Sequence, residues 1–317
     1  MTVFVNAAFA FAGTELCGLA AAETQNPRKS LPKACKQVFW RITLFYVICL
    51  TLVGLLVPYN DKRLIANSSV DASASPFVIS IVNAGIKGLP SVMNVVIMIA
   101  VLSVGNSSVF GSSRTLAALA ASNQAPKILG YIDKQGRPLV GIIVQLIVGL
   151  LCFLAASPKE GDIFNWMLAL SGLSSIFTWG SINFCLIRFR RALYAQGRDT
   201  SELAFTSQVG VIGASWGMIL NITVLCLQFW VAVWPLHSKP SATAFFSSYL
   251  SVPVVLAFYI GHKLWTRNWR FYIRAKDIDI DTGRRELDLE LVKQEVAEEK
   301  AYYASLPIYR RIYHAWC

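Results

Sequence analysis

Charge is scarce in this chain. Asp, Glu, Lys and Arg make up 15% of its 317 residues, where a soluble domain carries about 25%. Apolar residues make up 55% and mean hydropathy is +0.51. That excludes a disordered chain, which is poor in apolar residues, and disfavours an ordinary cytosolic protein, whose cores could not hide so much apolar surface. Histidine is scarce too: His237, His262 and His314 have no metal-ligand partner at helical spacing. No phosphate-binding glycine loop and no nucleophile–base pair stands out, which argues against an enzyme. The seven cysteines show neither metal-ligand spacing nor a paired extracellular pattern, which disfavours a disulfide scaffold. Cys17, Cys49, Cys152, Cys185 and Cys226 fall inside apolar runs and read as small buried hydrophobes. The first apolar run lacks a basic leader and is interrupted by Glu15, so no cleavable signal peptide is expected.

What the chain has is long apolar runs. A helix needs about 20 mostly apolar residues to cross the hydrocarbon core. Seven stretches qualify, at approximately 3–22, 42–60, 90–113, 138–157, 163–187, 216–236 and 243–262. The expected fold class is therefore an all-α integral membrane protein. Its transmembrane domain would cover 1–262 and a polar cytosolic tail 263–317.

The net charge of +11 comes from 29 Lys and Arg against 18 Asp and Glu. These bases sit in short segments between apolar runs, where they set membrane orientation; nucleic-acid binding needs a basic face on a soluble fold. Alternate segments are the richer ones, with Arg28, Lys29, Lys33, Lys36 and Arg41, then Arg114, Lys127, Lys134 and Arg137, then Arg188, Arg190, Arg191 and Arg198. Basic loops face the cytosol, which puts the N-terminus outside and the tail inside. Asn67-Ser68-Ser69 then lies in an outside loop as a short glycosylation sequon. An odd number of spans with an outside N-terminus requires either a reverse-anchor first span or earlier spans absent from this chain.

Glu15 interrupts the first run beside Gly13 and Thr14. A carboxylate at the bilayer centre costs about 2.5–3.5 kcal/mol on insertion scales, so such an acid usually faces a protein interior or a water cavity. Glycine is the poorest helix former after proline, and threonine can bond its own backbone, so an interrupted helix is expected here. Broken helices at the midplane free peptide groups that can hold a charged substrate. The alternative is that Glu15 pairs with a base on another helix and serves packing. The third run holds Ser103, Gly105, Asn106, Ser107, Ser108, Gly111, Ser112 and Ser113, and the fifth Ser171, Gly172, Ser174, Ser175, Thr178 and Gly180. Small residues let helices approach closely and hydroxyls can bond across them. Packing is the plain account of both stripes, while the amide of Asn106 needs several partners if buried.

Phe9-Ala10-Phe11-Ala12-Gly13-Thr14-Glu15-Leu16 resembles the sixth-helix motif of the fungal amino acid permeases. Asn26-Pro27-Arg28-Lys29-Ser30-Leu31-Pro32 and Gln37-Val38-Phe39-Trp40-Arg41 resemble the segment after it. Val101-Leu102-Ser103-Val104-Gly105-Asn106-Ser107 and Leu168-Ala169-Leu170-Ser171-Gly172-Leu173 are similar to the eighth and tenth helices. The likeness runs along essentially the whole chain, including Asp279-Ile280-Asp281-Thr282-Gly283 and the final Trp316-Cys317.

The resemblance implies the amino acid-polyamine-organocation superfamily and a LeuT-like transporter fold. It implies proton-coupled symport of amino acids across the plasma membrane by alternating access, with the proton as coupling ion and no cofactor. The chain would correspond to the C-terminal portion, helices six to twelve: the second inverted repeat plus two helices, an incomplete fold. By position, the backbone around Ala12 and Gly13, with Thr14, would take the α-groups of the substrate. Glu15 would bind the amino group or take part in proton coupling, Phe11 would line the site, and Asn106 and Thr178 would add polar contacts. Cys317 resembles a terminal cysteine that is palmitoylated.

In the tail, Arg267, Arg270, Arg274 and Lys276 alternate with Trp265 and Trp269, as in an interfacial anchor against anionic lipid. Nine of the 18 acids lie between Asp277 and Glu299, so this stretch is solvated. Leu289, Val292 and Val296 are spaced as on an amphipathic helix, either on the cytosolic surface or meeting trafficking partners. A seven-helix receptor and a non-transporting amino acid sensor are the competing functions.

Overall fold

The computed structural model describes residues 7, 9–19, 24, 26–61, 63–64, 75–156, 160–203, 206–207, 209–235, 240–282, 294, 297–298 and 301–311. Asn67, Leu289, Val292, Val296, Trp316 and Cys317 lie outside them. Every regular element among these residues is helical. The α-helices are α1 (Leu16–Leu19), α2 (Pro27–Leu56), α3 (Pro76–Asn83), α4 (Leu89–Ala121), α5 (Leu139–Gly149), α6 (Glu160–Ala195), α7 (Gly210–Val233), α8 (Ala242–Tyr249) and α9 (Ser251–Thr266). Short 3₁₀ turns occupy Phe9–Phe11, Lys127–Gly130, Leu150–Ala156, Thr200–Glu202 and Ala275–Asp277.

Four described helical stretches are long and apolar enough to cross a membrane: Ser30–Leu56, Leu89–Ala121, Ile163–Ala195 and Gly210–Val233. A fifth apolar stretch, Leu139–Leu154, is shorter. The run at 243–262 is divided into α8 and α9 at Leu250. Pro253 has no N–H to continue the ladder across that point, and the Val254 N–H donates to the Leu250 carbonyl at 3.4 Å. The run at 3–22, where described, is interrupted between residues 11 and 16.

Helices do not stop where their hydropathy does. α2 starts at Pro27, a residue suited to the first helical turn, so Lys33, Lys36 and Arg41 lie on the helix and not in a loop. α4 has 33 residues and α6 has 36, about 50 and 54 Å at 1.5 Å per residue, against a hydrocarbon core of about 30 Å. Arg114 and the bases Arg188, Arg190 and Arg191 are therefore carried on helical extensions. The Arg114 guanidinium lies 3.5 Å from the centroid of Phe110 one turn back, an arrangement that covers a charge with an aromatic face. The segment expected as an outside loop contains α3, which starts with Pro76 at its first turn and buries Val78 and Ile79.

The chain divides into two compact units, Met1–Ala12, Glu23–Trp40 and Ala169–Cys317 in one, and Gly13–Ala22 with Arg41–Leu168 in the other. In the second unit α4 is the centre, with α1, α3 and α5 against it. Gly141 of α5 meets the Ser113 backbone so closely that an added Cβ would lie 3.1 Å from the Ser113 carbonyl oxygen. In the first unit Leu173 and Ile176 of α6 form a core with Val224, Leu225, Tyr249 and Val252. Phe229, Phe245 and Tyr249 stack around it at centroid distances of 5.6–6.0 Å. The most apolar stretches of α2 and α4 remain unburied. Such a surface suits hydrocarbon, where apolar side chains gain little by hiding from one another.

Candidate functional site

The expected break at Glu15 is present. After the 3₁₀ turn Phe9–Phe11, residues 12–15 form a turn and α1 begins at Leu16. Gly13 has φ +90°, a conformation that a residue with a Cβ rarely adopts. The Leu16 N–H donates to the Gly13 carbonyl at 3.0 Å and the Cys17 N–H to the Thr14 carbonyl at 3.3 Å. These i→i−3 bonds replace the i→i−4 ladder, so the helix is interrupted at the acid. Thr14 and Glu15 are half-buried, and Ala12 is exposed.

The sequence-derived site residues fall in both units. Phe11, Ala12 and Thr178 belong to one; Gly13, Thr14, Glu15 and Asn106 belong to the other. In the first, Phe11 faces Phe39 of α2 with ring centroids 6.2 Å apart. Thr178 is exposed on α6, and its hydroxyl donates to the Ser174 carbonyl at 3.0 Å, which leaves its oxygen as an acceptor. In the second, Asn106 is exposed on α4.

The small-polar stripes differ from expectation in one respect. Their hydroxyls bond back along their own helices: Ser107 to the Ser103 carbonyl, Ser108 to Val104, Ser112 to Ser108 and Thr115 to Gly111, at 2.6–3.0 Å. Ser175 donates likewise to the Ser171 carbonyl at 3.2 Å. Back-bonding of this kind satisfies a hydroxyl in hydrocarbon without a second helix.

Some structural contacts had no sequence signal. Ser251, fully buried at the start of α9, donates to the Ala169 and Leu170 carbonyls of α6 at 3.1 and 2.6 Å. Asn183 of α6 abuts Gly217 of α7, where an added Cβ would lie 2.8 Å from its Nδ2. Leu16 of α1 covers Gly111 of α4. Pro253, two residues after Ser251, and glycines four apart on α7 (Gly213, Gly217) were the only hints.

At the end of α6, in the first unit, residues 272–281 form a docked strap. Arg188 bonds the Tyr272 hydroxyl and the Ile273 carbonyl and stacks over the Tyr272 ring at 4.1 Å. The Gln196 side-chain amide donates to the carbonyls of Ala275, Lys276 and Ile278. Arg198 pairs with Glu202 at 2.6 Å and Asp281 at 2.8 Å, and Ile280 is buried against Ala192 and Leu193. The pairs with Glu202 and then Asp281 hold the Arg198 guanidinium even more firmly protonated than usual. Asp277, Asp279 and Asp281 are exposed, while Ile278, Ile280 and Asp281 tie this first part of the tail to the end of α6.

No group of three or more His, Cys, Asp or Glu placed to hold a metal occurs among the described residues. The amino acid permease family model matches residues 1–274. A general amino-acid permease of Candida albicans, GAP2, is 86% identical over the whole of this chain, which covers 54% of that protein. The general amino-acid permease GAP1 of Saccharomyces cerevisiae is 61% identical, again over the whole chain and 52% of its own length. The histidine permease of the same yeast is 49% identical, with 53% covered. No solved structure matches the chain. The chain thus spans about half the length of the curated relatives it matches. The expected placement in their C-terminal portion gains no support from these comparisons. With its interrupted helix, its apolar multi-pass pattern and a family match across most of its length, this chain belongs to the amino acid permease family.

Proposed function

We propose that this chain serves a proton-coupled amino acid symporter of the plasma membrane that works by alternating access in a LeuT-like fold. The observation that carries this is the helix break at Gly13 with the half-buried carboxylate of Glu15 two residues on, in a chain related to general amino-acid permeases. Peptide groups released from a helix ladder are suited to the charged ends of a small zwitterion. Around Ala12, Gly13 and Thr14 they take the substrate's α-groups, and Phe11 lines the site. Glu15 binds the amino group or carries the coupling proton. Asn106 and Thr178 add polar contacts, Thr178 as an acceptor. The first span is one of seven in 1–262. The N-terminal side of that span faces outside and the tail from 263 lies in the cytosol, where it meets trafficking partners. Asn67 accepts a glycan, and Cys317 is acylated next to lipid.

The test is Glu15→Gln in a permease of full family length that carries this chain. Proton-driven uptake of labelled amino acid per surface copy falls about tenfold or more, as expected for loss of a charge-assisted contact. Uptake at the parental rate removes Glu15 from the mechanism. Binding of the amino acid with no accumulation in the unmutated permease would make the protein a sensor instead.

A further inference from the structure

Leu16 directly follows Glu15 and opens α1, a helix of four described residues. What seats Leu16 therefore bears on where Glu15, its chain neighbour, stands. The Leu16 side chain lies over Gly111 of α4. A Cβ built on Gly111 would collide with Leu16 Cδ2 and lie 3.5 and 3.6 Å from Cδ1 and Cγ. Gly111 is buried, although most of α4 is exposed. At Gly105, earlier on the same helix, the same built atom meets nothing within 4 Å. The close approach is thus a property of Gly111 and not of small residues on this helix in general. Leu16 is also the residue whose N–H closes the turn onto the Gly13 carbonyl. The knob on α4 and the turn that carries Glu15 are therefore neighbours on one stretch of backbone.

From this we infer that Gly111 is a positioning residue of the transport site: it is the notch into which Leu16 fits, and the fit holds Glu15 in register with α4. The inference rests on the proposed role of Glu15 and deepens it. A methyl group at 111 leaves Leu16 no room in its present rotamer, so either the leucine swings its Cδ atoms off α4 or α1 shifts, and in both cases the fit that seats the turn is lost. Glu15 itself keeps its chemistry but loses its place.

Three variants test this in the same full-length permease: Gly111→Ala, Leu16→Ala and the two combined. Initial uptake of labelled amino acid is measured against concentration and normalised to surface copies. Gly111→Ala raises KM about tenfold, the order of one overpacked contact, while maximal uptake per copy changes by less than about twofold. Leu16→Ala raises KM as well. The double variant matches the KM of Leu16→Ala alone, well short of the product of the two singles, because the added methyl meets no leucine and the two changes couple. A parental KM in Gly111→Ala, or a double variant whose effect is the product of the two singles, overturns the notch. Should Gly111→Ala fail to reach the surface, Leu16→Ala adds no atoms and decides alone: a parental KM refutes the inference, a raised one supports it. These results are separable from the test of Glu15. If Glu15→Gln transports normally while the coupling of the two changes holds, the notch stands as a packing device and the proposed substrate role is what fails.

Discussion

Around Gly13 the chain is placed by apolar contact and one unusual dihedral angle, whereas around Arg198 it is placed by a dense set of polar bonds. The first region lies in an apolar run, where Leu16 over Gly111 does the seating. The second lies beyond the apolar core of α6, where Arg188, Gln196 and Arg198 tie down residues 272–281. The difference follows from the solvent. In hydrocarbon an unsatisfied polar group is costly, so polar side chains turn back on their own helices and close packing does the positioning. At the membrane edge water competes for each hydrogen bond, so a single bond holds little and many are used together.

The contrast is broken most severely at Gly13. Gly13→Ala places a Cβ on a residue with φ +90°, which costs about 1–3 kcal/mol. A lower thermal midpoint of the purified permease, together with reduced uptake, checks it; an unchanged midpoint would mean that the turn does not require its present dihedral angle. Ser251→Ala ranks next. It removes the buried hydroxyl that joins α9 to the Ala169 and Leu170 carbonyls and lowers stability by about 1 kcal/mol, read from the same melting experiment. Uptake KM stays at its parental value in that variant, since Ser251 belongs to the packing of α6 and not to the break.

The smallest effect falls on the strap. Arg198→Ala severs the pairs with Glu202 and Asp281 but leaves the Gln196 bonds, so limited proteolysis between residues 267 and 276 rises by no more than about fivefold. Acid sharpens the same point. Bonds from the Thr282 hydroxyl and from the N–H groups of Thr282 and Asp281 hold the Asp279 carboxyl below its ordinary range. Its folded pKa is thus lower than its unfolded one. The contribution is present at neutral pH and disappears as pH falls through the folded value, below about 4. Protection of the strap should be level from about pH 5 to 8 and weaken only in stronger acid. A change near pH 6.5 would assign the strap to some other group.

Much of this was legible in the chain itself, and for identifiable reasons. The break at Gly13 was foreseen because glycine and threonine act on their own backbone, with no partner needed. The apolar runs were foreseen because a bilayer sets their length. Helix ends were read less well. A hydropathy window closes at the first charge, while the helix ladder continues through Arg114 and Arg188 as long as each N–H finds its carbonyl. The division of 243–262 at Leu250 was missed although Pro253 offered the clue. The strap was missed because nothing near Asp281 in the sequence shows that Arg198, some 80 residues away, is brought beside it.

Composition and short-range chemistry alone determined that this is an all-helical membrane chain with an acid beside a helix interruption; the permease type rests on the likeness of its motifs. Those properties depend on each residue's own dihedral preferences and on the cost of charge in hydrocarbon, which act before any distant contact forms. Tertiary structure alone decided that Leu16 would find Gly111, that Ser251 would reach α6, and that Arg198 would hold the strap. Each of these contacts joins residues about 80 or more positions apart, and no local preference encodes which partner will be there.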